Sequence, residues 1–141
     1  MIASLYVAVT YLLSPISYMI LNIRVSDILR GLIPIYGYPI IVGIAIGQFI
    51  VNIFSPLGFL DLLSVIPATI GGIIILLLAK RGYALLGFLI HWIILSTWLV
   101  FLLHTVLNIP YILLLSIYPQ VFISDFILPY ILYREWRARF K

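Results

Sequence analysis

The chain contains no cysteine and very little charge: four acidic residues against eight basic ones in 141 residues. The missing thiol excludes disulfides, thiol catalysis and thiolate metal sites. No G-x-x-x-x-G-K-[ST] stretch occurs, so the chain carries no phosphate-cradling loop and should not hydrolyse ATP itself. It also lacks a paired-histidine motif, a hydrolase elbow and a lipid-phosphate signature, so nothing in it argues for an enzyme. No Ser/Gly/Pro-rich linker divides it, and residues 1–141 read as one integral membrane domain.

What the chain has in abundance is apolar length. Residues 71–79 read GGIIILLLA and are followed by Lys80 and Arg81. A bilayer-spanning helix needs about 20 mostly apolar residues, which leaves room for about six of them here. The expected fold class is an all-α membrane protein with six transmembrane helices, short loops and both termini cytoplasmic. The expected location is the cell membrane, as a multi-pass protein. The net charge of +4 does not point to nucleic acid, because most basic residues flank apolar spans, where they orient helices.

The spans are expected at Ile2 to Leu13, Arg24 to Tyr36, Pro39 to Phe54, Phe59 or Asp61 to Arg81, Tyr83 to Leu107, and within Tyr111 to Tyr133. The first has no charged n-region or A-x-A site and reads as a retained span rather than a signal peptide. Ser14 to Ile23 reads as a loop with enough apolar side chains to dip back into the membrane. Gly43 and Gly47 form a G-x-x-x-G spacing that lets helices approach closely. Lys80, Arg81, Arg134, Arg137, Arg139 and Lys141 close the fourth and sixth spans, which with six crossings end on one side, the cytoplasmic one. The loops at Ser14 to Arg24, Ser55 to Asp61 and Asn108 to Tyr111 then face outwards.

A charge inside a span costs about 3 kcal/mol or more unless it is paired or wet. Arg24, Asp27, Arg30, Asp61 and Asp125 are therefore the informative residues. Arg24, Asp27 and Arg30 fall at i, i+3 and i+6 and share one broad face. They are either a salt-bridged cluster that fixes the second span or part of a polar cavity with a ligand. Asp61 fits a helix N-cap. Asp125 has no cation within four residues; it pairs across the bundle with Arg24 or Arg30, or it binds a ligand. Asn52, a lone amide in an apolar helix, fits an interhelical hydrogen bond as well as a substrate contact.

His91 and His104 are thirteen residues apart. At about 100° per residue they point about 140° from each other, so they cannot share a metal within one helix and read as packing or interfacial residues. No metal site and no cofactor are expected. Trp92, Trp98, Trp136 and most tyrosines read as interfacial belt or core, with Tyr18 near an outer loop a candidate to stack on a flat ligand. Ser4 and Ala8 make a small-x-x-x-small pair on the first helix, for packing or for docking another membrane subunit.

In order, LYVAVTYLLSPIS (Leu5 to Ser17), RVSDIL (Arg24 to Leu29), VNIFSPLGFLD (Val51 to Asp61) and the ISD of the last helix (Ile123 to Asp125) make the chain resemble the QueT family. These are substrate-binding (S) components of energy-coupling-factor transporters associated with uptake of queuosine precursors. The resemblance covers nearly the whole chain and is carried by order and spacing rather than by any one piece. Asp27 and Asp125 stand where the family tends to have Glu, Met19-Ile20 replaces a Gly-Pro, and Ser4 replaces the first Ala of an A-x-x-x-A docking pattern.

The resemblance implies a six-helix fold with a ligand near the outer side. It also implies a transmembrane coupling subunit and an ATPase pair as partners, docked on the small-residue face of helix one. On this reading a small, flat, polar molecule binds between the first outer loop, the start of helix four and the middle of helix six. Asp125 would take two adjacent N–H donors of a 7-deazaguanine in a bidentate pair, Asn52 and Asn22 would meet its carbonyl edge, and Tyr18 would stack on its ring, beside Arg24, Asp27 and Asp61. The open alternatives are an S component for another vitamin or base-like metabolite, and a membrane scaffold whose charges are purely structural.

Overall fold

The computed structural model of the chain describes residues 1–13, 24–55 and 59–139, and every element among them is helical. Helix α1 is Ile2–Leu12; a 3-10 helix, Val25–Leu32, runs into α2, Ile33–Tyr36; α3 is Tyr38–Ile53. Helices α4 (Phe59–Leu63) and α5 (Val65–Lys80) follow, then α6 (Ala84–Leu107). The last stretch comprises α7 (Tyr111–Leu114), α8 (Ile117–Phe122), a π-helical turn (Ile123–Ile127) and α9 (Leu128–Arg139). Three continuous helices, Asp61–Lys80, Ala84–Leu107 and Tyr111–Arg139, are long and apolar enough to cross a membrane, and Ile2–Leu12 and Tyr38–Ile53 are shorter.

The second expected span differs most from expectation. It is short for an α-helical crossing, and most of it is 3-10 helix. At about 2.0 Å per residue this form covers more distance than an α-helix of equal length. Arg24 at one end reaches Asn52, and Arg30 reaches Gln48, so the segment runs antiparallel to α3.

Helices α1 and α3 run parallel. A Cβ on Gly43 would lie 2.8 Å from Ile2 Cβ, one on Gly47 would lie 2.9 Å from Tyr6 Cβ, and the Tyr11 and Phe54 rings meet at 6.4 Å. The G-x-x-x-G spacing thus serves close packing within the chain. Helices α5 and α6 form an antiparallel hairpin. Its turn is a Schellman cap: Tyr83 N–H donates to Leu78 O (2.8 Å), Gly82 N–H donates to Ala79 O (3.0 Å), and Gly82 has φ +86°.

Lys80 Nζ lies 5.7 Å from the Tyr38 ring centre, and Tyr36 packs edge-on against Trp136 at 6.0 Å. The ends of α5 and α9 therefore lie at the same end of the bundle, as the basic residues require. Between this end and the bundle's middle the core is apolar, built on Ile33, Ile40, Ile41, Ile44, Ile75 and Phe88. Outward, the long helices display Ile66, Ile70, Leu77, Ile93 and Phe101. Apolar groups on the outside and charges within is the distribution a lipid solvent imposes.

Gly31 fixes the 3-10 segment against the last helix. A Cβ there would collide with the Pro129 carbonyl oxygen, a backbone atom that moves only with its helix. Overpacking typically costs about 1–3 kcal/mol, so Gly31→Ala is expected to destabilise the protein by about 2–3 kcal/mol. A thermal melt in mild detergent that matches wild type would refute this close approach.

Candidate functional site

The 3-10 segment has three residues per turn, so side chains at i and i+3 eclipse. Arg24, Asp27 and Arg30 therefore stack in one line rather than on a broad face, and they define two polar layers. In the inner layer Arg30 Nε and Nη2 donate to Asp27 Oδ1 at 3.1 and 2.9 Å, and Arg30 Nη2 also donates to Gln48 Oε1 at 3.3 Å. Tyr6 Oη donates to the same Asp27 oxygen at 2.9 Å. On its other side Arg30 Nε lies 3.3 Å from Asp125 Oδ1, and His91 Nε2 lies 3.5 Å from that oxygen. Ser124 Oγ donates to Asp125 Oδ2 at 3.1 Å.

In the outer layer Arg24 donates to Asn52 Oδ1 (3.3 Å) and to Asp61 Oδ2 (3.4 Å). Asn52 Nδ2 donates to Asp61 O (2.7 Å) and to Ser64 Oγ (3.0 Å). Asp61 is the third residue of α4, not a cap. Its buried carboxylate serves Arg24 and accepts from Ser64 Oγ at 3.3 Å.

The local sequence explains how Asp125 comes to point inwards. A proline lacks an N–H and its ring crowds the carbonyl of residue i−4. Pro129 stands four residues after Asp125, and the helix answers with a π turn closed by Leu128 N–H donating to Ile123 O. π turns widen a helix locally and are frequent at functional sites. His91 fits beside Asp125 because α5 offers Gly71, where a Cβ would collide with His91 Nδ1.

The two layers border one cavity, with about 460 Å³ of empty space including its open mouth. Its walls include Arg24, Asp27 and Arg30 from the 3-10 segment, Asp61 and Ser64 from the start of the fourth span, and Ser124 and Asp125 from the π turn. Helix α6 adds Leu95, Trp98 and Leu99. Two guanidiniums face three carboxylates, so the site carries one excess negative charge when His91 is neutral.

Arg24, Asp27, Asp61 and Asp125 are thus brought together, with Asp125 beside both an arginine and a void. Asn52 is fully buried behind the wall, with its amide occupied by Arg24, Asp61 and Ser64. Tyr18 and Asn22 lie outside the described residues. Ser4 and Ala8 are exposed on α1. Tyr6, Gln48, Ser64 and Ser124 belong to the site's surroundings without standing out in the sequence, and His91 and Trp98, which read there as packing and as belt or core, join them. For Gln48 the signal was its i, i+4 spacing to Asn52 on one helix face. His104 stays apart, with Nδ1 2.8 Å from Ile109 O and its ring stacked on Tyr111.

A helical bundle with an apolar exterior and a charged cavity inside is the build of a membrane protein that handles a small polar molecule. More narrowly, the chain belongs to the QueT transporter family, whose profile matches residues 1–135. No curated protein and no solved structure matches it.

Proposed function

We propose that this protein is the substrate-binding (S) component of an energy-coupling-factor uptake transporter, and that its cargo is a queuosine precursor of the 7-deazaguanine type. The observation that carries the reading is the cavity at Asp125: a buried carboxylate beside open space, in a site with one negative charge in excess. Such a site favours a ligand that presents N–H donors. An edge with two adjacent donors pairs with a carboxylate in a geometry that is both selective and strong. A purely structural scaffold is expected to be closed and dry, and the cavity speaks against it.

The cargo enters from the side of Arg24 and Asp61, opposite the basic end that meets the cytoplasm. The exposed Ser4/Ala8 face of α1 docks a transmembrane coupling subunit, and an ATPase pair then drives the population shift that releases the cargo inwards. The test is binding of 7-deazaguanine to the purified protein, read by thermal melt and by native mass spectrometry. At a hundredfold excess over Kd, a ligand specific for the folded state stabilises it by about 2.7 kcal/mol. We expect a saturable rise in melting temperature and a 1:1 complex. No shift and no complex at millimolar ligand would overturn the cargo assignment.

A further inference from the structure

We infer that Trp98 is a hydrogen-bond donor of the ligand site, so that the cargo is a planar lactam with an N–H edge for Asp125 and a carbonyl for the indole. This rests on the reading above. Two of the chain's three tryptophans sit on α6 within the bundle, and they differ. Trp92 Nε1 donates to Tyr118 O at 3.1 Å. Trp98 Nε1 is buried yet has no hydrogen-bond partner among the described residues. An indole nitrogen only donates, and buried polar groups are seldom left unpaired. Trp98 lines the cavity.

Asp125 lines the same cavity, and its Oδ1 also lacks a hydrogen-bond partner among the described residues. The arginine and histidine nitrogens near it are within ion-pair reach but are not hydrogen-bonded to it. Two residues that line one void thus each hold a buried polar atom without a hydrogen-bond partner, the Trp98 donor and the Asp125 acceptor, and both nitrogens of the adjacent His91 are unpaired as well among the described residues. A free anion is disfavoured by the excess carboxylate. A simple cation leaves the indole N–H unanswered. A neutral ring carrying N–H next to C=O answers both, and Leu95, Leu99 and Val121 give its faces apolar contact. In a 7-deazaguanine the ring carbonyl adjoins the N–H edge that a carboxylate takes.

The experiment compares two ligands on two proteins: 7-deazaguanine and 6-thio-7-deazaguanine, which keeps both N–H donors but replaces the carbonyl by a weakly accepting thiocarbonyl, against wild type and Trp98→Phe, by calorimetry in detergent. Phenylalanine keeps an apolar ring and removes the N–H. Wild type should prefer the lactam. Trp98→Phe should weaken the lactam roughly tenfold, as expected for one lost hydrogen bond, and leave the other ligand within about twofold. Equal loss for both ligands marks a packing residue and overturns the inference, as does no loss for either. If wild type binds neither ligand, the cargo reading itself falls and takes this inference with it. If Trp98→Phe does not fold, a protein carrying Trp92→Phe and Trp136→Phe reports through Trp98 alone. Its emission must then shift on adding the lactam, and unchanged emission at saturation overturns the inference.

Discussion

Asp125→Asn is expected to fold at least as well as wild type and to bind 7-deazaguanine a hundredfold or more weakly. The two halves follow from the same geometry. Arg30 is shared between Asp27 and Asp125, but its hydrogen bonds go to Asp27 and Gln48. Neutralising Asp125 leaves the Arg30–Asp27 pair intact and removes the negative charge in excess, so stability is kept or gained. Ligand recognition has no such reserve. A hydrogen bond to a charged group contributes about 1.5–3 kcal/mol, and a bidentate pair contains two. The asparagine also turns one acceptor into a donor that faces the ligand's own donors. The pair of measurements is a melting curve without ligand and a binding isotherm with it. Affinity within a fewfold of wild type would remove Asp125 from the site, and a collapse of the fold would make it structural.

The sequence made the ingredients of the site legible but not their pairing. Five charged residues in apolar surroundings were conspicuous because charge in a membrane demands a reason. All five line the cavity, together with Arg30's neighbour Gln48. Their partners were not readable, because pairing depends on which helices touch. Asp27 sits between two cations in the sequence, yet hydrogen-bonds only one of them, Arg30. Arg24 instead spans 37 positions to reach Asp61. Spacing by three also suited a broad α-helical face as well as the eclipsed line of a 3-10 helix. Only the short stretch available, Arg24 to Tyr36, hinted that the chain must stretch to cover the distance.

His91 shows a different blind spot. Against His104 alone it has no metal partner, and the sequence favours packing. Its role beside Asp125 depends on a hole in another helix, Gly71, twenty positions earlier. In the sequence Trp98 reads as belt or core, because interfacial tryptophans are common. The face shared with His91 and Leu95, at helical spacing, was present in the sequence but carried no sign of a void. Pro129, by contrast, was a usable clue. A proline four residues after an intramembrane acid perturbs the backbone at the acid itself.

Arg30 joins three segments of the bundle, and Arg30→Met is expected to be the most destabilising of these changes. The guanidinium is almost completely buried, and it bridges the 3-10 segment, α3 and the last helix through Asp27, Gln48 and Asp125. Methionine keeps much of the apolar stem but leaves two buried carboxylates with no cation beside them. Removing one partner of a buried ion pair costs about 3–5 kcal/mol. Set against a net stability of about 5–15 kcal/mol, that is enough to empty much of the folded population on extraction. Charge is the cause on this account, so Arg30→Met combined with Asp27→Asn and Asp125→Asn should recover most of the loss, a strongly non-additive result. Arg30→Lys should fall in between, because a single ammonium cannot reproduce the fork that reaches Asp27 and Gln48 while facing Asp125. Thermal melts and gel filtration in mild detergent separate the cases. If the triple variant melts no higher than Arg30→Met, shape rather than charge governs the site, and the excess carboxylate loses its standing as the feature that selects the cargo.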